Sequence, residues 1–260
     1  LRKVISKLKL RASYGQVGNA NLGGRRFAYL STITDDYDTL NMYKWGLDSS
    51  YGLTGMAEGE FAVQDLTWEI VNKMNLGVEL GFLNGMIDLQ LDYFDERRKD
   101  IFMPRESVPM TAGFMKQPWK NFGKVTNQGV EVSLNVNKQF GKDLFVSLMG
   151  TFTYAHNEIT EKDEPSAVVG TNRAETGHPV GQLTGYIAEG LFTEDDFEDV
   201  STGKLKEGIP TQSFVGKLRP GDIRYRDVNG DGKVDVFDKS PIGGTKDPEI
   251  VYGFGLNMKY

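Results

Sequence analysis

The densest concentration of chemistry-bearing residues is Asp227-Val228-Asn229-Gly230-Asp231-Gly232-Lys233-Val234-Asp235-Val236-Phe237-Asp238. It follows the pattern D-x-N-x-D-G-x-x-D-x-x-D. Asp227, Asn229, Asp231, Asp235 and Asp238 offer side-chain oxygens, Lys233 its backbone carbonyl, and Gly232 stands where a calcium loop turns sharply. Asp at the last position has a shorter reach than the usual Glu. Carboxylates packed this densely repel one another, which favours a bound cation such as structural Ca2+. The alternative is an Asx-rich solvated turn without metal. Either way the expected role is ordering a loop, not catalysis.

Other candidates are weaker. The acidic run Glu194, Asp195, Asp196, Glu198 and Asp199 fits a solvated loop face better than a metal site. His156 and His178 are the two histidines, and Cys is absent. Disulfides, thiolate metal sites and His-rich centres are thereby excluded. No nucleophile elbow, phosphate loop or zinc-protease helix motif occurs, so no enzyme activity is expected. Trp45, Trp68 and Trp119, with Tyr37, Tyr43 and Tyr51, have the chemistry to stack on sugars. A membrane-interface girdle or a loop core is the preferred reading. With 36 acidic against 30 basic residues and net charge −6, the chain lacks the basic excess expected of a nucleic-acid partner.

The elements that must position these residues are strands. Residues alternate with period two over Lys7–Gly15, Trp68–Leu83, Met86–Lys99, Val125–Phe140, Leu144–Asn157 and Ile250–Tyr260. Leu76, Val78, Leu80 and Phe82 oppose Gly77, Glu79 and Gly81. Val130, Val132, Leu134 and Val136 oppose Glu131, Ser133, Asn135 and Asn137. Asn84-Gly85 signals a two-residue hairpin, and Gly141-Lys142-Asp143 a tight turn. The other connections, Gln16–Thr67, Ile101–Phe122 and Glu158–Pro248, are long. The fold class read from this is all-β. About six antiparallel strands belong to a large transmembrane β-barrel, with short turns at one end and long extracellular loops at the other. No segment holds the ~20 apolar residues of a membrane helix. A soluble antiparallel sandwich with one wet face fits the alternation too, but strands this long favour the barrel. The first residue, Leu1, and the alternation still running at Tyr260 suggest an internal segment of a longer protein.

Several stretches resemble the SusC/RagA family of TonB-dependent outer-membrane transporters. They are Leu8–Asn19 with its Gly-x-x-Gly-Asn turn, Asp65–Phe82 with Trp-Glu leading to Asn-x-Gly, Asp92–Phe102, Asn121–Leu134 with Gly-x-x-x-Asn-x-Gly-x-Glu, Gly177–Phe192, and Pro220–Gly243. The resemblance implies that residues 1–260 are part of a 22-stranded barrel, with plug and remaining strands elsewhere. Residues 158–248 then form a long external loop carrying the Asp motif. It further implies residence in a Gram-negative, Bacteroidetes-like outer membrane and contact with outer-membrane lipid. The implied activity is uptake of oligosaccharides or peptides, with a SusD-like surface lipoprotein and TonB as partners. A secreted, calcium-stabilised, carbohydrate-binding β-domain is the alternative.

Overall fold

The computed structural model describes residues 4–34, 43–47, 51–53, 56–114 and 116–260. It divides into two units: residues 1–165 with 249–260, and Ser166–Pro248.

The first unit is built on one antiparallel six-stranded meander: β1 Ile5–Asn19, β2 Glu69–Phe82, β3 Ile87–Pro104, β4 Trp119–Phe140, β5 Leu144–Glu161 and β6 Ile250–Lys259. All six segments predicted from alternation are present, and most run further than expected. β3 continues past Lys99 because a bulge interrupts its register against β4 between Arg98 and Ile101. Asp100 takes φ 59° there. The bulge breaks the period of two without breaking the strand, so the connection expected over Ile101–Phe122 shrinks to residues 105–118. The Gly-x-x-Gly-Asn stretch likewise stays in β1 through Asn19, and the chain turns only afterwards, where Asn19 Oδ1 accepts the Asn21 N–H at 3.0 Å.

The short connections hold. Gly141–Asp143 links the paired residues Phe140 and Leu144, with Gly141 at φ 63°. The turn at Asn84-Gly85 is wider than the two residues expected. Phe82 pairs with Ile87, and Leu83, Asn84 and Gly85 all take positive φ.

The register fixes which residues share a face. One row reads Leu10, Val78, Leu91, Val132, Phe152, Tyr252; the next reads Ala12, Leu76, Tyr93, Val130, Tyr154, Ile250. Two further apolar rows lie below, through Leu80 and Phe82. One row above, the same face turns polar: Asp95, Gln128 and His156 are paired in sequence across β3, β4 and β5. On β5 and β6 the band extends one row further, to the pair Val146 and Met258, so from Val146 to Tyr154 it covers about eight residue steps, ~27 Å along a strand. At ~40° of tilt that is ~20 Å of height, close to the ~25 Å lipid-facing band of outer-membrane barrels.

This apolar face is solvent-open on the end strands, with Leu10 74% and Tyr252 73% exposed, and partly open on the inner ones, with Leu76 47% and Leu91 38% exposed. A soluble sheet would show the reverse.

Two long connections in this unit meet each other. Arg25 lies 4.2 Å from the centroid of the Trp119 ring, which also packs on Phe102. Glu60 pairs with both Arg25 and Lys116. Trp119 is therefore part of a loop core. Trp68 covers Gly18, where a Cβ would sit 2.6 Å from the indole. Backbone pairing joins Tyr43–Trp45 to Tyr51–Leu53, and Tyr37 lies outside the described residues.

The second unit has its own small core of Phe192, Phe197 and Leu218, backed by Leu205, Ile209 and Val215. Short ladders surround it, pairing Gln182–Gly185 with Ser240–Thr245, Ala188–Leu191 with Ile223–Tyr225, Phe197–Asp199 with Lys204–Leu205, and Thr211–Gln212 with Lys233–Val234. Buried Gln212 ties two of them, donating to the Ile223 carbonyl and accepting the Tyr225 N–H.

Candidate functional site

The polar face of the sheet carries an ordered charge network. Arg11 donates twice to Asp92, at 2.8 and 2.9 Å, and Gln90 donates to the same carboxylate at 2.8 Å. Arg11 also pairs with Glu79 at 3.2 Å, and Lys7 and Lys9 reach Glu79 at 2.8 and 3.2 Å. Arg11 on β1 and Asp92 on β3 are not neighbours. Gly77 of β2 stands between them in register, and its missing side chain is the space the ion pair occupies. A Cβ there would fall inside contact with Asp92 Oδ1 and 3.0 Å from Arg11 Nη2. Gly129 makes similar room for the ring of Phe94.

Reading the sequence did not single out Arg11, Gly77 or Asp92. The available signal was a glycine inside a strand whose neighbours on the same face are charged.

Nearer the long connections, Lys73 pairs with Glu96 at 2.7 Å, Arg98 with Glu69 at 3.0 Å, and Lys124 with Glu161. His156 Nδ1 lies 2.7 Å from Glu249 Oε1 and ties β5 to the approach to β6. Asp163, at the end of β5, accepts from Arg105 Nε at 3.0 Å and from the Ser107 amide and hydroxyl. Burial pushes its carboxyl upward, but the Arg105 and Ser107 hydrogen bonds outweigh this and hold it below the usual range.

In the second unit, the Asp motif folds into a chain of Asx turns. Asp227 accepts the amides of Gly230 (2.7 Å), Asp231 (3.3 Å) and Gly232 (2.8 Å). Asn229 Oδ1 accepts the Asp231 amide, and Asp231 accepts that of Lys233. Asp235 caps a short 3-10 turn through the Phe237 amide at 2.8 Å. Asp238 is fully buried and accepts from Val228 (2.8 Å), Asn229 (3.3 Å) and Asp235 (2.7 Å). Gly230 and Gly232 take φ 75° and 84°, which few other residues do without strain. Lys233 is paired with Thr211. The six predicted residues thus share one compact loop. Among the described residues no three acidic or histidine side chains form a group placed to hold a metal, because these carboxylates point at backbone amides.

The acidic run is a self-capped loop face. Asp196 accepts the Thr193 amide and hydroxyl, and these two bonds hold its carboxyl below the usual range. Asp199 accepts from Ser201. Tyr186, stacked on Phe214 at 4.4 Å, has its phenol raised by burial and then by Asp235 and Asp238.

Residues 1–244 match the family described as TonB dependent receptor-like, beta-barrel. The chain is 28% identical to the TonB-dependent receptor SusC of Bacteroides thetaiotaomicron over 264 residues, covering 99% of this chain and 24% of that protein. It is 24% identical to TonB-dependent receptor P3 of Formosa agariphila, covering 98% of this chain and 24% of the relative. Its fold superposes with a TM-score of 0.65 on a chain in the structure of the RagAB peptide transporter, at 22% identity, over 99% of this chain and 26% of that one. The chain therefore spans about a quarter of the length of these relatives. The apolar-out, polar-in sheet and the family match agree, and the chain belongs to the TonB-dependent receptor β-barrel family as a segment of an outer-membrane barrel wall.

Proposed function

We propose that this chain is wall and outer loops of a transporter that brings oligosaccharides or peptides across the outer membrane. On this reading the long connections, including residues 158–248, face outside, where a SusD-like lipoprotein covers them. TonB energises the cycle through parts of the protein outside this chain. The observation that supports it best is the inverted sheet. One face carries lipid-compatible side chains in unbroken rows, and the other carries Arg11, Asp92, Gln90 and Glu79 in a network suited to a water-filled interior. The soluble sandwich considered from sequence needs a second sheet over Leu10, Leu76 and Leu91, and these side chains are open. No catalysis is assigned to the chain.

The test is made on the full-length protein. Its outer-membrane fraction should give a gel band whose mobility shifts on heating, and deletion of its gene should abolish uptake of one class of labelled oligosaccharide or peptide. Unchanged uptake of every class would overturn the transport reading.

The Asp227–Asp238 loop is proposed to take up one Ca2+, with Asp227, Asn229, Asp231, Asp235, Asp238 and the Lys233 carbonyl as donors. The donor order and the two left-handed glycines support this. A carboxylate has about four acceptor sites, so the amide bonds leave capacity for a cation once Asp231 and Asp235 turn inward. Calorimetric titration with Ca2+ tests it; no heat in the wild-type protein would refute it.

A further inference from the structure

The second unit contains a cleft of about 570 Å³ with Arg173, His178, Lys239 and Lys246 on its walls, together with Glu175 and Gln182. Its size falls within the ~300–1,000 Å³ typical of small-ligand sites. Three permanent cations against one carboxylate is a local reversal in a chain of net charge −6.

The walls are built, not incidental. Asn172 donates to the carbonyls of Phe237 and Lys239 at 2.9 and 2.8 Å, which pins the segment bearing Arg173 to the one bearing Lys239. Arg173 lies 4.9 Å from the centroid of the Phe237 ring. The Lys246 amide donates to the Gly181 carbonyl and Gln182 Nε2 to that of Gly244, so a ladder end carries the third cation. A turn closed by the His178 amide on the Glu175 carbonyl brings these two residues, three apart in sequence, to the same cleft. Lys239 directly follows buried Asp238, so the Asx turns of the Asp loop fix its position.

We propose that this cleft binds a carboxylated sugar, a uronate within an oligosaccharide. Arg173, Lys239 and Lys246 meet the carboxylate through charge-assisted hydrogen bonds. Glu175 and the Gln182 amide oxygen accept from ring hydroxyls. An acidic peptide supplies the anion but fewer donors for those acceptors. The proposal rests on the transport reading only for its biological setting, because binding is measured without transport.

The experiment is calorimetric titration of the full-length protein in detergent with trigalacturonate, the neutral trigalactose and triglutamate. Trigalacturonate should bind, with affinity falling as salt rises. Arg173→Gln and Lys239→Gln should each weaken it about tenfold, the loss of one charge-assisted bond at an open site. Lys239→Arg should retain most binding, and hydrogen exchange across residues 166–248 should match wild type in all three variants. Equal binding of trigalactose, binding of triglutamate alone, or unaltered affinity in both Gln variants would overturn the proposal. Retained binding with no cellular uptake would refute the transport reading and leave this one standing.

Discussion

Gly77→Ala tests whether the Arg11–Asp92 pair shapes the wall. In an ordinary strand the change should stabilise, since Gly costs ~0.5–1 kcal/mol relative to Ala. Here the new methyl would enter contact with Asp92 Oδ1 and lie 3.0 and 3.1 Å from Arg11 Nη2 and Nε. Asp92 is buried, so it cannot exchange Arg11 for water without cost. Hydrogen bonds to charged groups contribute about 1.5–3 kcal/mol. The lower end applies, because the Arg11 side chain is 37% exposed and keeps Glu79 at 3.2 Å. The expected net destabilisation is ~1 kcal/mol. In an Asp92→Ala background the obstruction is gone and Arg11 is free to turn to Glu79, so Gly77→Ala should stabilise by ~0.5 kcal/mol. The difference is a coupling of ~1.5 kcal/mol, ordinary for residues in contact. Urea-dependent folding of the four full-length variants into lipid vesicles measures it. The same effect of Gly77→Ala in both backgrounds would refute the argument.

The remaining predictions address the facing of the sheet, the Asp loop and the β5 end. Val132→Arg, in the lipid-facing row of Leu91 and Phe152, should cost ~2–4 kcal/mol if near mid-membrane; Glu131→Arg should cost much less, and equal tolerance would defeat the facing. Asp238→Ala removes the buried acceptor of three part-buried amides, each such bond contributing ~1 kcal/mol; hydrogen exchange across residues 227–240 should rise sharply, and unchanged protection would contradict the cap. Asp231→Ala should lower Ca2+ affinity in a calorimetric titration, and an unchanged isotherm would remove it from the donor set. Asp163 titrates below its unfolded range, so its stabilising bonds to Arg105 and Ser107 are complete above the unfolded carboxylate pKa and disappear as pH falls through the lower folded value. Proteolysis of residues 105–118 should accelerate in that acidic window, and Arg105→Ala should shift the onset upward.

The strands were legible because burial in lipid writes the same period of two as burial in a core. What the sequence concealed follows from physical causes. The Asp100 bulge shifts phase, so alternation fails to report a strand that continues. The Asn84-Gly85 turn uses Leu83 in the left-handed region, which the residue's type does not announce. Arg11 and Asp92 lie 81 positions apart and meet only across an intervening strand. The Asp motif was visible as a run of oxygens. Which amides those oxygens would accept depends on Gly230, Gly232 and the buried end at Asp238. The Arg173–Lys239–Lys246 cleft is assembled by a ladder between segments far apart in the chain, and no local window contains it.

The alternation has a consequence for how the chain reaches its membrane. A helix bound for a bilayer must be apolar for ~20 residues, and the inner-membrane insertion machinery captures such a run. Here most of the alternate residues of the spanning strands are polar or small, and mean hydropathy is −0.40. The segment therefore passes the first membrane unrecognised, its affinity for lipid cryptic until the strands pair. Only then do Leu10, Val78, Leu91, Val132, Phe152 and Tyr252 gather into one surface. That makes strand pairing, not hydrophobicity, the event that selects the destination.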